Sequence, residues 1–300
     1  MTQNSSHTTQ TTPSPGWSAT PKASAGPKAT AAEQPRPPLP EGIDTSVPNV
    51  ARIYDYLLDG KDNFEADRQA AHHLVTLVPA VRQSVWENRK FLRRAIRYLT
   101  ADAGIDQFLD IGVGLPTQGA VHEVAHETNP AARVAYVDYD PVVVLHGNAL
   151  LTEPDRSIVV QADVRQPELI FGDPVISAHL DFSRPVAVTL LAVMHFVSDE
   201  DDPYGVVAAI RDALAPGSFL VMGHVSRDNV PDDLADQVVT MYEQASEPLT
   251  PRSKDQVTRF FDGFQLAEPG ITHENGWRPD ADTPLANQAS LGWAGVGRKR

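Results

Sequence analysis

Three aspartates, Asp110, Asp138 and Asp163, stand at or just beyond the ends of successive apolar runs at 108–111, 133–137 and 157–160. Gly112 and Gly114 follow the first of them, in the stretch QFLDIGVGLPT at 107–117. Ionised carboxylates accept hydrogen bonds from hydroxyl and amino groups, and they attract cations. Glycines let a backbone turn sharply and lie close to a bound molecule. Taken singly, each aspartate is an ordinary turn or helix-cap residue. Their repeated position predicts one shared crevice, provided that the runs are parallel strands.

The flanking pattern supplies such strands. After the glycine turn, 118–128 reads as a helix with Ala120, Val121, Val124 and Ala125 on one stripe. Asp140-Pro141 opens a helix to about residue 151. Residues 186–191 form a continuous apolar run, as in a strand buried on both faces. A helix at 201–215 ends at Pro216-Gly217 and leads to a strand at 219–222. This alternation predicts an α/β fold with a mostly parallel sheet and right-handed crossovers. In such folds ligands bind at the carboxyl ends of the strands. Further helices are expected at 232–245 and, capped by Thr250-Pro251, up to about 261, with strands near 264–271 and 289–297.

Three helices precede the first strand, at about 46–60, 65–75 and 80–99, and they either cover the sheet or form a lid over the crevice. Val50, Ile53, Tyr54, Leu57 and Leu58 give the first its apolar stripe. Residues 1–44 are a polar tail rich in Pro, Ser, Thr, Ala and Gln, a composition that predicts disorder. Residues 45–300 are expected as a single domain, with a helical cap at 45–104 and the α/β core at 105–300.

The chain has 300 residues, no cysteine and a formal net charge of −14. That charge disfavours nucleic acid and anionic membranes as partners. The lack of cysteine removes disulfides and thiolate nucleophiles. The longest near-apolar run, 186–197, is too short to span a bilayer and contains His195. With no leader pattern at the N-terminus, a cytoplasmic protein is expected.

His122-Glu123-Val124-Ala125-His126 matches H-E-x-x-H, a pattern that can bind zinc on a helix. The longer form fails because residue 129 is Asn. The helix stripe must pack on the sheet, which would turn both histidines toward solvent, so no metal is expected.

A dinucleotide would favour a third glycine at 117, where Thr stands, and Pro116 removes an N–H donor. S-adenosylmethionine, which has no phosphate, suits the crevice better. Asp138 would accept from the ribose hydroxyls, Asp163 from the adenine amine, and Asp110 would favour the ammonium group.

At these residues the chain resembles the class I S-adenosylmethionine-dependent methyltransferases, and specifically the actinobacterial S-adenosyl methyltransferase family first catalogued as a domain of unknown function. The matching stretches include VARIYDYLLDGKDNFEADRQAA (50–71), ENRKFLRRAIRYL (87–99), FLDIGVGLPT (108–117), ARVAYVDYDPVV (132–143), QADVRQPE (161–168), RPVAVTLLAVMHFVSDEDDP (184–203), LAPGSFLVMGHVSRD (214–228) and TPRSKDQVTRFFDGFQLAEPGI (250–271). The resemblance covers about 45–298. It implies a Rossmann-like, seven-stranded sheet with the last strand antiparallel, helices on both faces and an N-terminal helical extension. It also implies cofactor contacts at Asp110, Gly112, Gly114, Asp138 and Asp163, with Tyr139 and Val164 flanking the adenine. Pro116 departs from the commonest pattern, which has glycine there.

In-line methyl transfer needs a base only when the acceptor must lose a proton. His195, just past the fourth strand, is the expected base, and His224 is second. Lys61 and Asn63, in the loop after the first helix, are expected as a lid or substrate contact, with Tyr54 and Arg89 nearby. No N-P-P-Y element follows the fourth strand, which argues against methylation of nucleic-acid bases. The expected function is methyl transfer to a small molecule at oxygen or nitrogen. A non-catalytic cofactor-binding regulator and a nicotinamide oxidoreductase are the alternatives.

Overall fold

The apolar runs become strands of one mixed sheet. In the computed structural model, which describes residues 44–116, 119–228, 230–280 and 290–300, the first five strands are β1 (Gln107–Ile111), β2 (Arg133–Asp138), β3 (Ser157–Gln161), β4 (Ala187–Leu191) and β5 (Phe219–Val225). They pair in parallel in the order β3-β2-β1-β4-β5. Every residue of β1 and β4 is buried, which is why those runs are apolar almost without interruption. Three later strands complete the sheet: β6 (Phe264–Leu266), β7 (Thr272–His273) and β8 (Gly292–Lys299). β8 lies antiparallel between β5 and β6. The expected seven-stranded path is present, and the two-residue β7 adds an eighth strand against β8. The expected strand at 264–271 stops at Leu266, and β7 begins just beyond its expected end.

Strand order reverses between β1 and β4, and this reversal opens a crevice at their carboxyl ends. Three helices come first: α1 (Val50–Leu57), α2 (Glu65–Leu77) and α3 (Val81–Ala101). Asn49 caps α1 by accepting from the N–H groups of Ala51 and Arg52. Its backbone N–H donates to Asp67, and its Nδ2 reaches Asp140 at 2.8 Å. Arg52 and Asp67 form a buried ion pair at 2.8 Å, which ties α1 to α2. Phe91, Leu92, Ala95, Ile96 and Leu99 of α3 pack with Phe108, Val134, Tyr136 and Val221 on one face of the sheet.

The remaining helices are α4 (Val121–His126), α5 (Pro141–Leu150), α6 (Pro167–Phe171), α7 (Pro174–His179), α8 (Pro203–Ala213), α9 (Asp232–Tyr242) and α10 (Lys254–Arg259), and α5, α8 and α9 fall close to expectation. Asp140 caps α5 with Pro141 at its first turn. α6 and α7 have no counterpart in the sequence reading, and α4 is shorter than 118–128, where Gln118 lies outside the described residues. The cap of α10 is Ser253, not Thr250, because Ser253 and Gln256 exchange reciprocal bonds. The polar tail, apart from Asp44, also lies outside the described residues. Among the described residues, no helix is long and apolar enough to cross a membrane.

Candidate functional site

The turn after β1 holds its shape for two different reasons. Gly112 has φ 74°, and a Cβ there would stand 2.2 Å from Val193 Cγ2. Gly114 has φ 65° but open space around its Cα, so only its backbone conformation favours glycine. The Gly112 N–H donates to the Val137 carbonyl at 2.7 Å and pins the turn to β2. The Gly114 N–H donates to Asp138 Oδ2 at 2.9 Å.

Asp138 also accepts the Asp140 N–H at 3.0 Å. Burial pushes its carboxyl up to about 6, against the pull of those N–H groups. Asp110 lies opposite Tyr136 of β2 and Thr189 of β4. It accepts the Thr189 hydroxyl, and burial pushes it up to about 6 as well. Asp163 differs. Partial burial acts to raise it, but a bidentate pair with Arg165, with Nη2 at 2.7 Å from Oδ2, holds it below the usual carboxylate range.

These groups line one cavity with about 1100 Å³ of open space. Asp110, Gly112, Gly114, Asp138, Tyr139, Asp163 and Val164 all border it, as do Tyr54 and Arg89. Sequence reasoning missed Arg165 and Glu247, which border it too and approach each other at 3.5 Å. Six carboxylates and two guanidinium groups face this space, an excess of negative charge that favours a cationic ligand. Two buried acids with raised pKa values fit a ligand that brings a cation to one and hydroxyl donors to the other.

A second cavity adjoins the first and shares Val50, Tyr54, Ala192 and Phe196 with it. Ala192, at the border, has φ 59°, a conformation uncommon for a residue with a Cβ. Its N–H donates to the Gly223 carbonyl at 3.0 Å and holds the chain there as it leaves β4.

His195 and His224 border the second cavity, not the first. The Nδ1 of His195 accepts the Val225 N–H at 3.3 Å. With that bond made, the neutral ring carries its proton on Nε2 and presents an N–H there. Burial and the adjacent His224 and Arg252 push its pKa well down. His224 uses both nitrogens: Nδ1–H donates to the Val225 carbonyl at 2.8 Å, and Nε2 accepts from Arg252 at 3.1 Å. Burial is the main cause of its pKa of about 3.

Lys61 and Asn63, expected as a lid or substrate contact, stand in the chain that follows α1. Asn63 is buried and donates to Asp55 at 2.9 Å and to the Gly60 carbonyl at 3.1 Å, bracing the chain beyond α1. Lys61 is exposed, and neither residue lines a described cavity. The H-E-x-x-H pair also departs from expectation. His122 is buried, with Nδ1 2.7 Å from the Tyr136 hydroxyl, and His126 Nε2 donates to the Ala132 carbonyl at 2.9 Å. Tyr136, inside β2, draws His122 inward; the helix stripe alone gave no sign of that partner. Among the described residues, no group of three or more His, Cys, Asp or Glu could hold a metal ion.

A family model described as S-adenosyl methyltransferase matches residues 37–300. No curated protein matches the chain. Two solved structures resemble it over most of its length. A candidate methyltransferase of Thermobifida fusca YX is 44% identical with TM-score 0.81, covering 87% of this chain and 98% of its own. A DUF574 family protein of Streptomyces avermitilis MA-4680 is 37% identical with TM-score 0.82, covering 86% of this chain and 99% of its own.

Proposed function

The chain belongs to the S-adenosyl methyltransferase family, and from that premise we propose that this S-adenosylmethionine-dependent enzyme methylates a small molecule at oxygen or nitrogen. The observation that carries the reading is the pair of buried acids, Asp110 and Asp138, on either side of the Gly112–Gly114 turn in one cavity.

Asp138 accepts from the ribose hydroxyls of the cofactor, and Tyr139 and Val164 flank its adenine. Asp163 keeps its Arg165 partner and accepts the adenine amine with a remaining lone pair. Asp110 attracts the ammonium group, and Arg89 faces the same cavity with the charge that suits a carboxylate. Bound S-adenosylmethionine supplies an electrophilic methyl group on a sulfonium whose carbon–sulfur bond breaks with its electron pair left on sulfur. The acceptor's lone pair forms the new bond to carbon, and the proton it loses passes to water.

His195 takes no proton in this scheme. Its Nε2–H orients the acceptor, and rate comes from holding acceptor and methyl in line. The net charge of −14 supports a small molecule over nucleic acid. Calorimetry with S-adenosylmethionine tests the reading: binding by the parent and clearly weaker binding by Asp138→Ala are expected. Equal affinity in both, or none in the parent, overturns it. Transfer of labelled methyl into one fraction of a host metabolite extract would then identify the acceptor.

A further inference from the structure

The second cavity is chemically unlike the first. It offers about 980 Å³ of space open to solvent on one side, walled mostly by aliphatic and aromatic side chains such as Ile53, Leu57, Leu74, Val85 and Tyr242. No lysine, arginine or aspartate borders it among the described residues. Burial favours the uncharged form of each of its ionisable groups. Burial pushes Glu274 up to about 8, raises Tyr54 and Tyr242, and pushes His195 and His224 down. Anything bearing a carboxylate, phosphate or ammonium group would leave water without a counter-charge, which is expensive.

At the border with the cofactor cavity the lining turns polar. Asn88 Nδ2 donates to the Tyr54 hydroxyl oxygen at 3.0 Å. The oxygen thus accepts, and the Tyr54 O–H is left to donate. Asn88 Oδ1 is buried without any hydrogen-bond partner. Gly223, on β5, makes room for it: a Cβ there would lie 2.5 Å from Oδ1. A buried acceptor kept bare beside a donor is costly, and it is rare in folded proteins. The two groups together complement a hydroxyl, which both donates and accepts.

We propose that this cavity holds the methyl acceptor and that the acceptor is an uncharged, largely apolar alcohol, enol or phenol whose hydroxyl donates to Asn88 Oδ1 and accepts from Tyr54. The proposal rests on the methyltransferase reading and narrows it to oxygen. Asn88 and Tyr54 are the specificity residues. The hydroxyl sits where the two cavities share a wall, and the apolar frame fills the space among α1, α2, α3 and α9.

Titration calorimetry of the full chain tests this with three probes of one shape: 2-naphthol, naphthalene and 2-naphthoate, each added after saturation with S-adenosylhomocysteine. The expected result is 2-naphthol binding at least about tenfold tighter than 2-naphthoate. Val238→Trp or Val81→Trp, at half-buried positions of the lining, weakens 2-naphthol at least about tenfold and leaves S-adenosylhomocysteine affinity unchanged. Asn88→Leu lowers the preference for 2-naphthol over naphthalene about fivefold, the worth of one ordinary hydrogen bond. Absence of 2-naphthol binding, equal or tighter binding of 2-naphthoate, or unchanged binding in both tryptophan variants overturns the proposal. The functional reading is judged separately in the same cell, before any probe is added: if neither S-adenosylmethionine nor S-adenosylhomocysteine binds, that reading falls and the acceptor assignment falls with it.

Discussion

Asp138 Oδ2 accepts the Gly114 N–H at 2.9 Å, so the acid ending β2 and the glycine turn after β1 are one unit. Asp138→Ala removes both a ligand acceptor and the anchor of the turn. Cofactor affinity is expected to fall about 10- to 100-fold, in line with the loss of hydrogen bonds to a charged group. Calorimetry measures it, and Asp138→Asn, which keeps one acceptor oxygen, should lose less.

Asp110 sets a pH dependence whose sign follows from its raised pKa of about 6, against an ordinary 3.8. The folded free protein holds the proton more tightly than the unfolded chain. This group's contribution to stability is therefore full below pH about 4 and lost as pH rises through about 6. Asp110→Asn should accordingly gain melting temperature relative to the parent as pH goes from about 4 to about 7. A bound cation favours the ionised acids, so cofactor affinity of the parent should rise over the same range. A flat melting difference, or tighter cofactor binding at acid pH, would show that the carboxyl is not buried as described.

Gly112 and Gly114 both have positive φ but should respond differently to alanine. Gly112→Ala meets Val193 as well as an unfavourable backbone and should lose about 2–4 kcal/mol. Gly114→Ala meets open space and should lose about 1–2 kcal/mol from the backbone alone. Urea unfolding ranks them, and Val193→Ala should recover part of the first loss but none of the second.

Asp67 is the anchor of the helical extension. It pairs with buried Arg52 at 2.8 Å and accepts the N–H groups of Asn49 and Phe64. Asp67→Ala strands the guanidinium and should cost about 3–5 kcal/mol. Replacing Arg52 and Asp67 together by apolar residues should cost less, which chemical denaturation of the double variant would reveal.

The H-E-x-x-H pair should have no catalytic metal, because His126 Nε2 is taken by the Ala132 carbonyl and, among the described residues, no group of three or more His, Cys, Asp or Glu could hold one. Dialysis against a chelator should leave methyl transfer unchanged. His122→Phe should lower stability by about 1–3 kcal/mol, because it leaves the buried Tyr136 hydroxyl short of a partner, without abolishing turnover.

The sheet could be read from the chain because strands buried on both faces must be apolar throughout, as at Ala187–Leu191. The acids at 110, 138 and 163 could be read because each ends such a run, and parallel pairing brings equivalent ends together. Partners from distant segments left no such trace. The bond of His195 to Val225, which decides its tautomer, spans 30 residues. Asn63 looked like a loop residue because its acceptor, Asp55, is itself buried on α1. The helices α6 and α7 have five and six residues, too few for a helical period to declare itself. The second cavity stayed hidden because its wall is assembled from stripes that each read as plain core.

One feature of the sheet also governs how the molecule can be made. β8 is not an edge: it lies between β5 and β6 and carries β7 as well. Until Lys299 has left the ribosome, the nascent chain must wait with the flank of β5 unpaired, open to any extended peptide that meets it. Fragments that stop short of Gly292 are therefore expected to aggregate more readily than the full chain, because nothing covers that flank of β5.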